Sequence, residues 1–403
     1  MLQRMLLERN IKLEYVRATL SNLVFYLPVM VLFFNQIVNA VTLVALLFSI
    51  QAFISIILEV PTGAFADLFG RKKILVLAGF LSIAATSLLA FSSNFYMLVV
   101  FSILFAIKGT LTSGTQEAVV YDSLKQLKKE SEYKMRVGHW NTLAWLGALI
   151  GSVLGGWMAG YNIRLPILLS IPLSIIYLIS FLLTTEPQYK KETHRNIFKQ
   201  MQGSIKIFLS NKQLLLLSLF SLFSFGIAES TAHLDQIFFN FVKLPLSYFG
   251  IAAALGSLMG ALGSFLSHRL SDRFGDRPIL MASKVLDGLM LVGAALFLGY
   301  TGVVFIIILA FFRSIGSPIL SHLLNEQIKS KQRATVLSLN SLMMNVGYLL
   351  FAPLMGYVAD LYTIATSFRI SGFLLMFTVI LLVFIKRKKR VLFFFAFFFF
   401  FFV

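Results

Sequence analysis

The chain has 403 residues, 58% hydrophobic and 13% charged, with no cysteine and a formal net charge of +18. Soluble globular chains are about 45–50% apolar and about 25% charged, so this composition, with a mean hydropathy of +0.85, excludes an ordinary water-soluble domain and makes a lipid bilayer the partner. Absent thiols exclude disulfides and thiolate metal sites, and the positive charge, split into short runs between apolar segments, excludes a nucleic-acid-binding face.

The N-terminal stretch, with Arg4, Arg9 and Lys12, runs into an apolar segment without a small-residue cleavage site, as an uncleaved first span would. At about 20 apolar residues per crossing, twelve helical spans are predicted. They lie near 14–34, 41–65, 74–92, 95–120, 137–160, 163–183, 213–240, 246–268, 278–299, 302–324, 335–359 and 366–385. The breaks alternate. Basic clusters fill Arg71–Lys73, Lys125–Arg136, Lys190–Lys212, Arg269–Arg277, Lys329–Arg333 and Lys386–Arg390, whereas Asn35–Ala40, Ser92–Asn94 and Tyr300–Gly302 are nearly uncharged. About 28 of the 35 Lys and Arg fall on one side. The positive-inside rule then puts both termini and the long 184–212 connection in the cytoplasm of a multi-pass cell-membrane protein, with a bacterial inner membrane as the expected location. The expected plan is an all-α membrane protein with a six-helix half over 1–185, a linker over 186–212, a second half over 213–390 and a Phe-rich tail over 391–403.

Between the second and third spans stand Gly63, Asp67, Gly70, Arg71 and Lys72. Gly70 permits a sharp turn between helix ends, Asp67 can accept from helix N-terminal amides, and Arg71 can pair with a carboxylate. Span 4 carries Lys108 at mid-depth, Glu117 towards its basic end and Asp122 where it closes. Span 5 carries Gly138, Gly147, Gly151, Gly155 and Gly156, small residues that let helices approach closely. In span 7, Glu229, His233 and Gln236 recur at i, i+4 and i+7 on one face. That face is either a proton-coupling site or a hydrogen-bonded polar seam, with His233 and Asp235 reaching the outer interface. Lys284 and Asp287 in span 9 are spaced to neutralise each other, and Arg313 is the second mid-depth cation. Lys108 and Arg313 could together face an anionic substrate, or each could be neutralised internally. Glu59 and Glu117 sit nearer the basic loops and are expected in a network around Arg71.

The halves echo each other. Residues 66–75 and 271–280 are identical at five of ten positions at an offset of 205, which also carries Lys108 onto Arg313; an offset of 200 carries Gly147 onto Gly347 and Gly156 onto Gly356. Parallel repeats of this kind build one shared site near the bilayer midplane. The tail is too short to span, and phenylalanine alone does not make a packed core; it is read as a translated terminator-like or frameshifted tract. The sequence has no phosphate-binding Gly-x4-Gly-Lys-Ser/Thr, no HExxH and no nucleophile elbow, so no ATP use, enzymatic activity, cofactor or metal is expected.

The segment from Gly63 to Lys73 resembles the signature G-x-x-x-D-x-x-G-R-K/R between spans 2 and 3 of the major facilitator superfamily. Asp122 resembles the acidic residue that pairs with the signature arginine, here Arg71. The glycines of span 5 occupy every glycine position of the antiporter pattern G-x8-G-x3-G-P-x2-G-G, with Ser152 standing where proline is expected; Lys108 takes the place of a mid-helix arginine and Gly114 fits the spacing after it, while Thr112 departs from it. The resemblance implies twelve helices in two pseudo-symmetric halves. It also implies a monomeric secondary transporter that exports a small organic solute or drug in exchange for protons by alternating access. Two other readings stand beside it: proton-coupled import of an organic anion, suggested by Lys108 and Arg313, and a non-transporting sensor or interaction protein on the same fold.

Overall fold

The computed structural model describes residues 2–188, 211–327 and 333–384, and over these the chain is helices joined by turns and short irregular stretches. The side chains of Glu59 and Asp67 lie outside the described residues, as do most of the predicted linker and the whole Phe-rich tail. The helices are α1 Leu2–Asn22, α2 Met30–Val38, α3 Val41–Phe69, α4 Arg71–Phe91, α5 Phe95–Thr112, α6 Thr115–Gln126, α7 Tyr133–Tyr161 and α8 Leu165–Leu182. After the linker come α9 Lys212–Phe241, α10 Leu246–Phe274, α11 Asp276–Leu296, α12 Tyr300–Glu326, α13 Arg333–Leu361 and α14 Ile364–Val383. They make twelve stretches long and apolar enough to cross a membrane.

Two predicted spans are broken rather than continuous. Span 1 divides into α1 and α2 around a short 3-10 turn at Leu27–Val29, where Pro28 supplies no backbone donor. Span 4 divides into α5 and α6 because Gly114, at φ 69°, takes the chain out of the right-handed helical region. The loop signature and its repeat behave alike: Gly70 at φ 98° separates α3 from α4, and Gly275 at φ 91° separates α10 from α11. Helix starts are capped where the sequence provides it, Asn94 Oδ1 accepting from Met97 N–H at 3.1 Å and Thr363 Oγ1 from Thr366 N–H at 3.1 Å.

The chain forms two compact units. The first comprises residues 1–195 with 236–254, and the second 196–235 with 255–403. In the first, Leu75, Val119, Tyr177 and Phe181 pack together; in the second, Leu214, Leu217, Phe220, Leu280, Ile315, Ile319 and Leu382 do so. Large apolar side chains such as Phe80, Trp157, Phe265 and Phe377 are exposed, as lipid contact requires. The glycine repeat recurs in packing. A Cβ on Gly147 would run into the Thr19 carbonyl of α1, and a Cβ on Gly347 would run into the Leu222 carbonyl of α9.

Candidate functional site

In the first unit the loop signature anchors a polar cluster at the basic-loop end. Arg71 Nη1 donates to Asp122 and, at 3.0 Å, to the Ala118 carbonyl. Both side chains are mostly buried, so this pair is not an ordinary surface ion pair. Glu186, just beyond α8, accepts from the backbone N–H of Arg71 at 2.8 Å and of Lys72 at 2.6 Å. A carboxylate there satisfies the orphan donors that open α4 and complements the helix dipole. Sequence reasoning missed Glu186, since only the fold brings it next to residues 71 and 72. Glu117 is exposed in the first turn of α6.

A second cluster is visible along the chain only as an i, i+3 pair. Arg17, fully buried, donates to Glu14 Oε2 at 2.9 Å from Nε and to Thr184 Oγ1 at 2.8 Å from Nη1, and stacks 5.4 Å from the Phe181 ring. This cation is neutralised within its own helix.

The α7 glycines do different work. Gly151 and Gly155 lie against the backbone at Leu23–Phe25, and Gly156 against Gly250 of α10, approaches that any side chain would block. Gly138, by contrast, faces open space, and a methyl group there would meet nothing within 4 Å. Opposite the basic loops, Gln236 spans the break in span 1. Its Nε2 donates to the Leu27 carbonyl at 2.7 Å, and its Oε1 accepts from Val31 N–H at 2.8 Å and Leu32 N–H at 3.3 Å. Gln236 thus belongs to a backbone clamp, separate from the Glu229–His233 pair with which its spacing groups it.

Lys108 enters a pocket of about 100 Å³ formed wholly within the first unit and lined by Ser21, Ser82, Thr86, Ser170, Ser174 and Tyr177 among others. Its Nζ lies 5.4 Å from the Phe105 ring centre and 5.6 Å from that of Tyr177. Among the described residues no carboxylate forms an ion pair with it.

In the second unit Arg313 is not free in the same way. Its Nη2 donates to Thr231 Oγ1 at 3.1 Å and lies 3.5 Å from Asp287 Oδ1, while Lys284 Nζ lies 3.5 Å from Asp287 Oδ2. The expected Lys284–Asp287 neutralisation is present, but the buried carboxylate serves two cations. Of the two alternatives for the mid-depth cations, internal pairing describes Arg313 and not Lys108. Asp235, one turn from Thr231 on α9, has a buried Oδ1 with no hydrogen-bond partner among the described residues, although its position along the span suggests the outer interface. Glu229 Oε1 lies 3.9 Å from His233 Nδ1, and His233 packs on Tyr348 with ring centres 5.5 Å apart.

Twelve helices long and apolar enough to cross a membrane among the described residues, in two units with a loop signature at equivalent turns, define a polytopic membrane protein. The Major Facilitator Superfamily profile matches residues 18–244 and 242–402, and the chain belongs to that family. No curated protein matches it in sequence. Among solved structures, a variant of the nucleoside transporter NupG matches with a TM-score of 0.82 at 13% identity, covering 95% of this chain and 100% of that one. A bacterial homologue of the human lysosomal transporter Spinster, inward-facing and unoccupied, matches at 0.65 with 15% identity, covering 94% of each chain. A variant of the E. coli fucose:proton symporter FucP matches at 0.55 with 16% identity, covering 95% of this chain and 98% of that one. At such identities the likeness concerns the fold.

Proposed function

We propose that this transporter couples movement of a small organic solute to protons, working as a monomer in the cell membrane with both termini cytoplasmic. The observation that carries the reading is the intramembrane cluster of Asp235, Asp287, Lys284 and Arg313 around Thr231. Ionisable groups at bilayer depth are costly and persist where they serve a pathway or a relay. Two cations, Asp287 and the Asp235 oxygen, which has no hydrogen-bond partner among the described residues, make a set in which one proton redistributes the pairing. The similar fold of FucP, a fucose:proton symporter, supports the choice of ion.

The glycine face of α7 supports export in exchange for protons, because it resembles the antiporter pattern and lies against the break in span 1. The second reading, uptake of an organic anion with protons, is favoured by Lys108, which has no carboxylate partner among the described residues. Proteoliposomes bearing pH gradients of either sign, screened with cationic drugs and organic anions, separate the two. Solute efflux quickened by protons moving the opposite way supports exchange, and co-movement supports uptake. Gradient-independent leakage, or no solute-dependent proton flux at all, overturns the proposal.

A further inference from the structure

Resting on the transport reading above, we infer that the solute carries one anionic group, bound by Lys108, next to hydrogen-bond donors. Its chemical class is that of a small hydroxylated or amino-substituted carboxylate.

The charge argument comes first. An ammonium at bilayer depth needs a counter-charge or strong hydrogen-bond acceptors. Arg17 has Glu14, and Arg313 has Asp287 and Thr231. Lys108 has two aromatic rings, an arrangement that holds a cation in place and leaves its N–H donors available. Among the described residues Lys108 is the mid-depth cation without a carboxylate, which suits a single negative charge, so Arg313 is not needed for the anion.

The hydroxyls around it select the rest of the solute. Ser170 Oγ donates to the Pro166 carbonyl at 2.8 Å, Ser174 Oγ to the Ser170 carbonyl at 3.1 Å, Thr86 Oγ1 to the Ser82 carbonyl at 2.9 Å and Ser21 Oγ to the Ala18 carbonyl at 3.3 Å. Each hydroxyl has one proton and two lone pairs. With its proton spent on its own helix, Ser170 keeps both lone pairs for the pocket. Ser21 Oγ already accepts from Asn22 Nδ2 at 3.1 Å, and Thr86 Oγ1 and Ser174 Oγ lie 3.2 Å apart and share a hydrogen bond, so these three present the part of their acceptor capacity that remains. Tyr177 is the reverse: its oxygen accepts from Gln116 Nε2 at 2.8 Å, leaving its own O–H to donate. Lys108 and Tyr177 therefore offer donors to an anion, and the serine and threonine wall offers acceptors to hydroxyl or N–H groups attached beside it. A volume of about 100 Å³ takes a head group of a few heavy atoms, well below the roughly 300–1,000 Å³ of drug-sized sites.

The test uses the purified full chain with two matched probe sets, glycerate, glycerol and serinol, then gluconate, glucose and glucosamine, with propionate as an anion lacking donors. Affinity is read from ligand-induced shifts in melting temperature and from competition in counterflow. Glycerate or gluconate is expected to bind at least tenfold more tightly than its neutral and cationic counterparts and than propionate. Lys108→Gln should abolish that acid preference and Lys108→Arg should retain it. Should Lys108→Gln fail to fold, Ser174→Ala with Thr86→Val removes acceptors while keeping the charge, and should weaken glycerate but not propionate. Equal binding of acid and neutral probes, acid preference surviving Lys108→Gln, or no binding of any acid overturns the inference. Gradient-driven flux of another solute without acid preference would sink this inference alone, whereas absence of flux for every solute would sink the transport reading with it.

Discussion

His322 Nδ1 lies 3.1 Å from Asp276 Oδ2, and these two residues, near the end of α12 and at the start of α11, occupy in the second unit the places that Asp122, near the end of α6, and Arg71, at the start of α4, occupy in the first, with the carboxylate moved to the helix start. The offsets are 205 from Arg71 to Asp276 and 200 from Asp122 to His322. The pairs differ in burial: the His322 side chain is 60% exposed, while those of Arg71 and Asp122 are 14% and 16% exposed. Exposed pairs contribute about 0–1 kcal/mol, and breaking a buried one costs several times more. Arg71→Ala is expected to lower transport at least tenfold at normal membrane insertion, and Asp67→Asn likewise on the strength of the loop signature. His322→Ala should stay within about threefold of wild type. Initial rates in vesicles normalised to inserted protein test this, and equal effects at both turns would remove the distinction.

Gln236 clamps the break in span 1 through three hydrogen bonds to backbone groups. At about 1 kcal/mol net each, Gln236→Leu should release the segment by roughly two orders of magnitude in population. The chain has no native cysteine, so Val29→Cys, at a position fully buried next to the clamp, can report directly. Membrane-impermeant maleimide should label it at least tenfold faster in the Gln236→Leu background. Unchanged labelling would mean that the clamp does not hold this segment closed.

Asp287 is the carboxylate shared by Lys284 and Arg313. Removing it leaves two buried cations, and losing one partner of a buried pair typically costs about 3–5 kcal/mol. Asp287→Asn should therefore lower yield and melting temperature sharply. Lys284→Met should be tolerated, because Arg313 still has Asp287 and Thr231, and Lys284→Met with Asp287→Asn should recover part of the loss. A double variant no better than Asp287→Asn alone would argue against charge as the cause.

Glu229 and Asp235 are the two carboxylates on α9 that could carry the coupled proton. Glu229 lies about 24 Å along the helix from its first residues at 1.5 Å per residue, and its side chain is 39% exposed, whereas Asp235 has a buried oxygen with no hydrogen-bond partner among the described residues. Asp235→Asn should keep solute counterflow within about threefold and lose at least tenfold of pH-gradient-driven movement. Glu229→Gln, mimicking a protonated acid, is expected to act in the same direction and less completely. Normal gradient dependence in both variants would move the coupling step to other groups, Glu59 and Glu117 first.

The α7 glycines give a graded test of packing. Gly155→Ala and Gly156→Ala place a methyl group into the backbone of Phe25 and of Gly250, and should reduce folded protein or transport at least fivefold. Gly138→Ala meets nothing within 4 Å and replaces a helix-weakening glycine, so it should be neutral or slightly stabilising. Equal sensitivity at Gly138 and Gly155 would show that the pattern acts other than by close approach.

The twelve spans, the repeat and the turn at Gly70 are legible in the order of residues alone, because each is a local or periodic signal. Apolar length sets a crossing, charge sets the breaks, and a left-handed turn calls for glycine. The type of residue at depth is legible too, since Lys108, Asp287 and Arg313 stand out against apolar neighbours. What each charge pairs with is settled in three dimensions. Glu186 caps α4 from more than a hundred residues away, Gln236 reaches back to Leu27, and Arg313 finds Asp287 on another helix while Lys108 lies against the Phe105 and Tyr177 rings. Spacing along one helix reports which side chains share its face; which helix lies opposite, and how close its backbone comes, is a property of the packed bundle.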